Sequence, residues 1–122
     1  MKNDSEFKQH FKKRLYKLVL ETIKIINALN KTSSNDIMGK QLLRSITSIL
    51  ANYIEAIAAS SKKDFINFFH HSLKSADESK VWFALLIDTN LQKKEMLDSL
   101  LEETTEIANI IAKSIITMKK SN

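Results

Sequence analysis

The chain has no cysteine, no proline and a single glycine, Gly39, in 122 residues. Zero cysteine excludes disulfides, thiolate zinc sites and cysteine nucleophiles. Proline and glycine are the usual punctuators of turns and short strands, so their near absence argues against a sandwich, a barrel or a glycine-rich phosphate loop. No apolar run approaches the roughly 18 residues of a membrane span, and the opening MKNDSEFKQH carries no signal-like apolar stretch. What is present is a hydrophobic fraction of 43%, enough to fill a core, and a charged fraction of 27% that argues against general disorder. The expectation is one soluble, cytoplasmic, all-α domain over residues 1–122 with net charge +5.

Apolar periodicity locates four helices. Phe7, Phe11, Leu15, Leu18, Thr22, Ile25 and Leu29 recur at three- and four-residue steps, predicting a helix over about residues 5–29, with Asn3, Asp4 or Ser5 as cap. A polar break at 30–35 precedes a second helix over about 36–58, with Leu42, Ile46, Ile49, Tyr53 and Ile57 in phase and Gly39 near its start. Ser61 three residues before Asp64 resembles a capping box and opens a third helix, over about 62–88. A fourth, over about 93–119, carries Met96, Leu100, Ile107, Ile111 and Ile115, and the tails beyond the helices are expected to fray. Connections this short favour antiparallel neighbours, hence an up-down-up-down antiparallel four-helix bundle.

That topology gathers charge. Residues 1–24 hold seven basic and three acidic groups, and residues 113–122 hold three basic groups and no acid. In an up-down bundle Lys8, Lys12, Lys13, Arg14 and Lys17 approach Lys62, Lys63, Lys113, Lys119 and Lys120 at one pole. A basic pole concentrates anions and suits backbone-directed, salt-sensitive contact with nucleic acid. It equally suits a solvated surface with lysines at helix C-termini.

Gln41, Arg44, Ser48, Asn52 and Glu55 step by three and four residues, forming one polar line along the second helix. The third helix offers a similar line, Ser72, Ser75, Glu78 (or Ser79) and Trp82, so an Arg44–Glu78 ion pair is conceivable. Such a line lies in water or forms a satisfied network where helices or subunits meet. Ser45, Ser48, Ala51 and Ala59 are small enough to admit another helix closely. Phe65, Phe69 and Phe83 fit a core stripe, whereas Phe68 and Trp82 sit at a neighbouring angle that also suits an oligomer interface.

At these residues the chain resembles a known family. QLLRSITSILANYIEA, SSKKDFINFF and SADESKVWF are similar to the bacterial four-helix-bundle proteins encoded in intervening sequences of large-subunit ribosomal RNA genes. They are similar too to the accessory variability determinant of diversity-generating retroelements. The matched positions are Gln41, Arg44, Ser48, Ile49, Ala51, Asn52, Glu55, Asp64, Phe65, Ile66, Ser75, Glu78 and Trp82. The resemblance implies a closed homo-oligomer, a pentamer by preference. For the retroelement branch it implies association with a reverse transcriptase and with RNA or DNA. Where the family often has proline and glycine this chain has Leu50 and Ala56, which predicts a straighter, longer second helix.

Neither metal nor catalytic chemistry is signalled. Adjacent His70 and His71 point about 100° apart on a helix and cannot chelate one metal as an i, i+4 pair does. Glu102, Glu103 and Glu106 read as a solvated face or as partners for nearby lysines. No serine or threonine stands on a sharp turn beside a histidine and a carboxylate. The function expected is a non-enzymatic accessory protein without a cofactor. It would bind nucleic acid, a reverse transcriptase or a ribonucleoprotein through its basic surface. The alternative is a self-assembling protein–protein interaction module with no nucleic-acid binding.

Overall fold

Two hydroxyl caps set where the middle helices begin. In the computed structural model, which describes residues 2–121, Thr32 Oγ1 accepts from the Asn35 amide at 3.1 Å and α2 runs Ser33–Ala58. Ser61 Oγ accepts from the Asp64 amide at 3.1 Å and α3 runs Lys62–Thr89. Each cap satisfies an amide that the helix itself leaves free. The cap at Ser61 is the one the sequence signals. The cap at Thr32 starts α2 three residues earlier than the expected Asp36. Helix α1 occupies Lys2–Ala28, so Asn3, Asp4 and Ser5, expected as caps, lie within it. After a single 3-10 turn at Leu91–Lys93, α4 runs Lys94–Lys120. Lys119 and Lys120, expected in a fraying tail, form its last turn. Met1 and Asn122, the outermost tail residues, lie outside the described part. Among the described residues there is no strand.

One apolar core joins the four helices. Phe11, Leu15, Leu18 and Ile25 of α1 meet Leu42, Ile46, Ile49 and Tyr53 of α2, with Phe69, Phe83 and Leu86 of α3 and Ile107, Ile111 and Ile115 of α4. The expected periodicity fails at three places. Met96 is exposed and Leu97 is fully buried in its stead. Each residue turns the helix by about 100°, and Leu97, not Met96, is in phase with Thr104, Ile107 and Ile111. Ile57 and Phe7 are exposed, because both lie where the helix ends part to form a groove.

The α2–α3 seam is the most extensive and the α1–α4 seam the least. Small buried residues let α2 and α3 approach: Ser45 and Ser79 hydroxyls meet at 2.7 Å, and Ser72 Oγ donates to the Ile49 carbonyl at 2.9 Å. Ala51, expected among the small residues at a close approach, is exposed. Partners count in opposite senses along these two helices, from Arg44–Glu78 and Ser45–Ser79 to Tyr53–Phe69. Helix α2 is uninterrupted through Leu50, and Ala56 is fully buried.

Candidate functional site

The basic residues divide into two groups. Lys8 and Lys113 line one groove, Lys8 and Lys12 line the adjoining one, and Lys62 Nζ donates to the Ser121 carbonyl beyond α4. Lys13, Lys63, Lys119 and Lys120 are exposed. Among the described residues none of these eight lysines pairs with a carboxylate. Arg14 and Lys17 do not belong with them. Arg14 Nε and Nη2 donate to both oxygens of Glu103 at 2.6 and 2.9 Å, and Nη2 also donates to Glu106 at 2.9 Å. This bidentate pairing holds the Glu103 carboxyl below the usual carboxylate range and raises the Arg14 guanidinium further above its own, with partial burial opposing both shifts. Lys17 shares the surrounding groove with Arg14, Glu21, Glu102, Glu103 and Glu106, so this patch is of mixed sign. The acids are far away in sequence, and only the lateral packing of α4 on α1 brings them to Arg14.

The polar line on α2 divides in a similar way. Gln41 Oε1 accepts from Arg44 Nε and Nη2 at 3.2 and 3.1 Å, and Arg44 Nη2 also donates to Glu78 Oε2. Trp82 Nε1 donates to the same Glu78 oxygen at 3.3 Å. With the Arg44 side chain 60% exposed, this is a surface ion pair worth under about 1 kcal/mol. Asn52 Nδ2 donates to the Ser48 carbonyl at 2.9 Å and to Ser48 Oγ at 3.3 Å. Ser75 contributes its carbonyl to the Ser79 hydroxyl, and Glu55 is exposed. Beside this line the Ser45–Ser79 and Ser72–Ile49 contacts are fully buried; Ser72 and Ser79 belong to the line expected on α3, whereas Ser45 lies one residue from Arg44 on α2.

Along the groove that Lys8 and Lys113 line, a chain of rings runs from α1 to α3. Phe7 stacks on Phe11 at 5.8 Å, Phe11 meets Tyr53 edge-on at 5.1 Å, Tyr53 meets Phe69 at 5.8 Å, and Phe69 stacks on Phe65 at 4.7 Å. Rings at these separations attract beyond their buried area. Burial pushes the Tyr53 hydroxyl up to about 12, and it donates to the Lys8 carbonyl at 3.3 Å. Met118, Ile110 and Thr117 complete the groove from α4. The sequence signals them only through helical phase. No group of three or more His, Asp or Glu among the described residues is placed to hold a metal ion. Among the described residues no helix is long and apolar enough to cross a membrane.

Four long helices about a single apolar core define an all-α bundle protein. Residues 8–113 match the model of the 23S rRNA-intervening sequence protein family, and the chain belongs to that family. It is also similar to the crystal structure of a protein with unknown function from the S23 ribosomal protein family of Bacteroides thetaiotaomicron. The two are 33% identical over 88% of this chain and 96% of that one, with a TM-score of 0.80. No curated protein matches the chain. The ribosomal intervening-sequence side of the resemblance is thus established at the level of the family.

Proposed function

We propose that the protein is a non-enzymatic, cytoplasmic accessory bundle that holds RNA or DNA, alone or with a reverse transcriptase or ribonucleoprotein, through its basic pole. The observation that carries this reading is the set Lys8, Lys12, Lys13, Lys62, Lys63, Lys113, Lys119 and Lys120, all exposed and none paired with a carboxylate among the described residues. An up-down-up-down order supports it, because that order places the start of α1, the α2–α3 turn and the end of α4 together. The groove shared by Phe7, Ile57, Phe65 and Met118 favours such an order. Arg14 and Lys17 are left out, since Glu102, Glu103 and Glu106 offset their charge.

Phosphate contacts of this kind release counterions, so log K should fall linearly with log salt, by about 0.9 per contact on duplex DNA. Filter binding with single- and double-stranded RNA and DNA across a salt series tests this. Replacing Lys12 and Lys13 with Gln should weaken binding similarly for all sequences and reduce the duplex slope by about two. No binding even at about 50 mM salt sinks the nucleic-acid reading.

A second reading rests on exposed apolar residues. Tyr16 and Leu20 of α1 and Ile54 of α2 are exposed, as are Val81 and Leu85 beside Trp82 on α3. These faces suit a closed homo-oligomer, a pentamer by the resemblance, in which Gln41, Arg44, Ser48, Asn52, Glu55, Ser75, Glu78 and Trp82 serve the contact. Sedimentation shows a discrete closed species if this holds. A monomer at micromolar concentration counts against it.

A further inference from the structure

The groove at the basic pole has a volume of about 580 Å³ and draws on all four helices. That lies within the range of about 300–1,000 Å³ typical of small-molecule sites. Its floor is apolar: Phe7, Tyr53, Phe65, Phe69, Ile110 and Met118. The polar groups of its walls are largely engaged already. The Tyr53 hydroxyl donates to the Lys8 carbonyl at 3.3 Å, and Ser114 Oγ donates to the Ile110 carbonyl at 2.9 Å. Two cationic residues also line the groove, Lys8 of α1 and Lys113 of α4. Neither pairs with a carboxylate among the described residues.

An apolar floor, on which Phe7 is exposed and Phe65 half-buried, together with two cations is complementary to a molecule with an apolar body and an anionic end. A bare phosphate would leave the floor wet, and a neutral hydrocarbon would leave the lysines unused. We propose that this groove binds a linear apolar monocarboxylate of the medium-chain fatty acid class, its chain along the ring-lined floor and its carboxylate between Lys8 and Lys113. The proposal is independent of nucleic-acid binding, although both use these two lysines.

Isothermal titration of the full chain with hexanoate, octanoate and decanoate, below micelle-forming concentrations, tests it. Each added methylene should tighten Kd by up to about fourfold until the floor is covered. Octanoate should bind about tenfold more tightly than 1-octanol, the difference one charge-assisted contact supplies. The Lys8→Gln, Lys113→Gln double variant should remove that difference and keep the affinity for 1-octanol. Ser114→Trp fills the groove and should abolish binding of both; Thr117→Trp, at the exposed rim, does the same if Ser114→Trp fails to fold. Lys63→Gln with Lys120→Gln should leave decanoate binding unchanged while weakening any nucleic-acid binding, which separates the two sites. Absence of saturable binding, absence of a chain-length trend, or equal affinity for acid and alcohol overturns the proposal. So does a response seen only as a change in oligomer mass, which would make the groove an interface between copies of this chain.

Discussion

Asn35 and Asn90 exchange a pair of buried amide hydrogen bonds, 3.0 Å in one direction and 2.9 Å in the other, across 55 residues of chain. Asn35 Nδ2 also donates to the Asn30 carbonyl at 2.9 Å, and Asn90 Nδ2 to the Leu86 carbonyl at 3.0 Å. The two amides thereby fasten the α1–α2 connection to the α3–α4 connection. Removing one partner leaves a buried amide unsatisfied, so Asn35→Ala or Asn90→Ala should cost about 1–3 kcal/mol. The double variant should cost clearly less than the sum, because the second removal abolishes the orphan. Urea unfolding of the four proteins measures this. Simple additivity would show that the pair is not coupled.

The Arg14–Glu103 pair predicts an acid-side loss of stability. The fold lowers the Glu103 carboxyl through hydrogen bonds from Arg14, so its contribution is complete above the unfolded value near 4.5. It is lost as pH falls through the lower, folded value. Both side chains are about 30% exposed or less, which limits the contribution to about 1 kcal/mol. Glu103→Gln should lower stability by that amount at pH 7, and the gap to the parent should close towards pH 3. A gap constant with pH would assign the cost to packing instead.

These two pairs show what the sequence conceals. The helices were legible because Phe11 to Leu29 and Leu42 to Tyr53 keep a helical period, and Ser61–Asp64 caps at short range. The Arg44–Glu78 pair was legible from two lines of similar spacing on successive helices. The partners of Arg14 were not, since nothing local to residues 102–106 says which lateral face of α4 turns to α1. Ser79 reads as an alternative to Glu78 in the α3 line and Ser45 as a small neighbour of the α2 line, and the structure buries these two hydroxyls against each other while Arg44 and Glu78 stay at the surface. A step of one residue around a helix decides which hydroxyl is buried, and periodicity alone does not resolve that step. The same offset separates Met96 from Leu97.

Tyr53 predicts the alkaline limit. Burial holds its hydroxyl neutral up to about 12, against 10.0 for a free tyrosine, so the unfolded chain releases that proton first. Its contribution is therefore intact below pH 10 and is lost progressively as pH rises towards 12. Tyr53→Phe removes the group that titrates and a 3.3 Å hydrogen bond to Lys8. It should cost about 1 kcal/mol at neutral pH and flatten the fall in stability above pH 10. Thermal melts of both proteins between neutral and alkaline pH decide it; parallel curves would place the alkaline sensitivity elsewhere.

Gly39 is the only glycine, and it lies buried within α2 facing α1. A Cβ placed there would meet Ile26 Cγ2 at 3.1 Å. Ile26 is half-buried, and a shift of a few tenths of an ångström in its side chain relieves the contact. Alanine gains about 0.8–1 kcal/mol of helix propensity over glycine, so Gly39→Ala should stabilise by about 0.5 kcal/mol after crowding. Gly39→Val adds bulk against the same methyl and should destabilise by about 1–3 kcal/mol. Chemical denaturation gives both signs. Destabilisation by alanine would mean that α1 and α2 cannot part at this contact.

Trp82 is the only tryptophan, which makes the α2–α3 seam observable by fluorescence. Its ring is half-buried and its Nε1 donates to Glu78, which also receives Arg44. Within one chain this cluster is exposed enough that Arg44→Ala should change stability by less than about 1 kcal/mol. If copies of the chain meet at this seam, the same substitution acts on desolvated charge and should shift the assembly strongly towards smaller species. Trp82→Ala should do likewise by removing an aromatic anchor. Sedimentation of the parent, Arg44→Ala and Trp82→Ala, with dilution followed by Trp82 emission where that ring is retained, separates the cases. A red shift on dilution that matches the loss of mass places Trp82 in the contact. An unchanged spectrum during dissociation moves the contact to the exposed Tyr16, Leu20 and Ile54 instead.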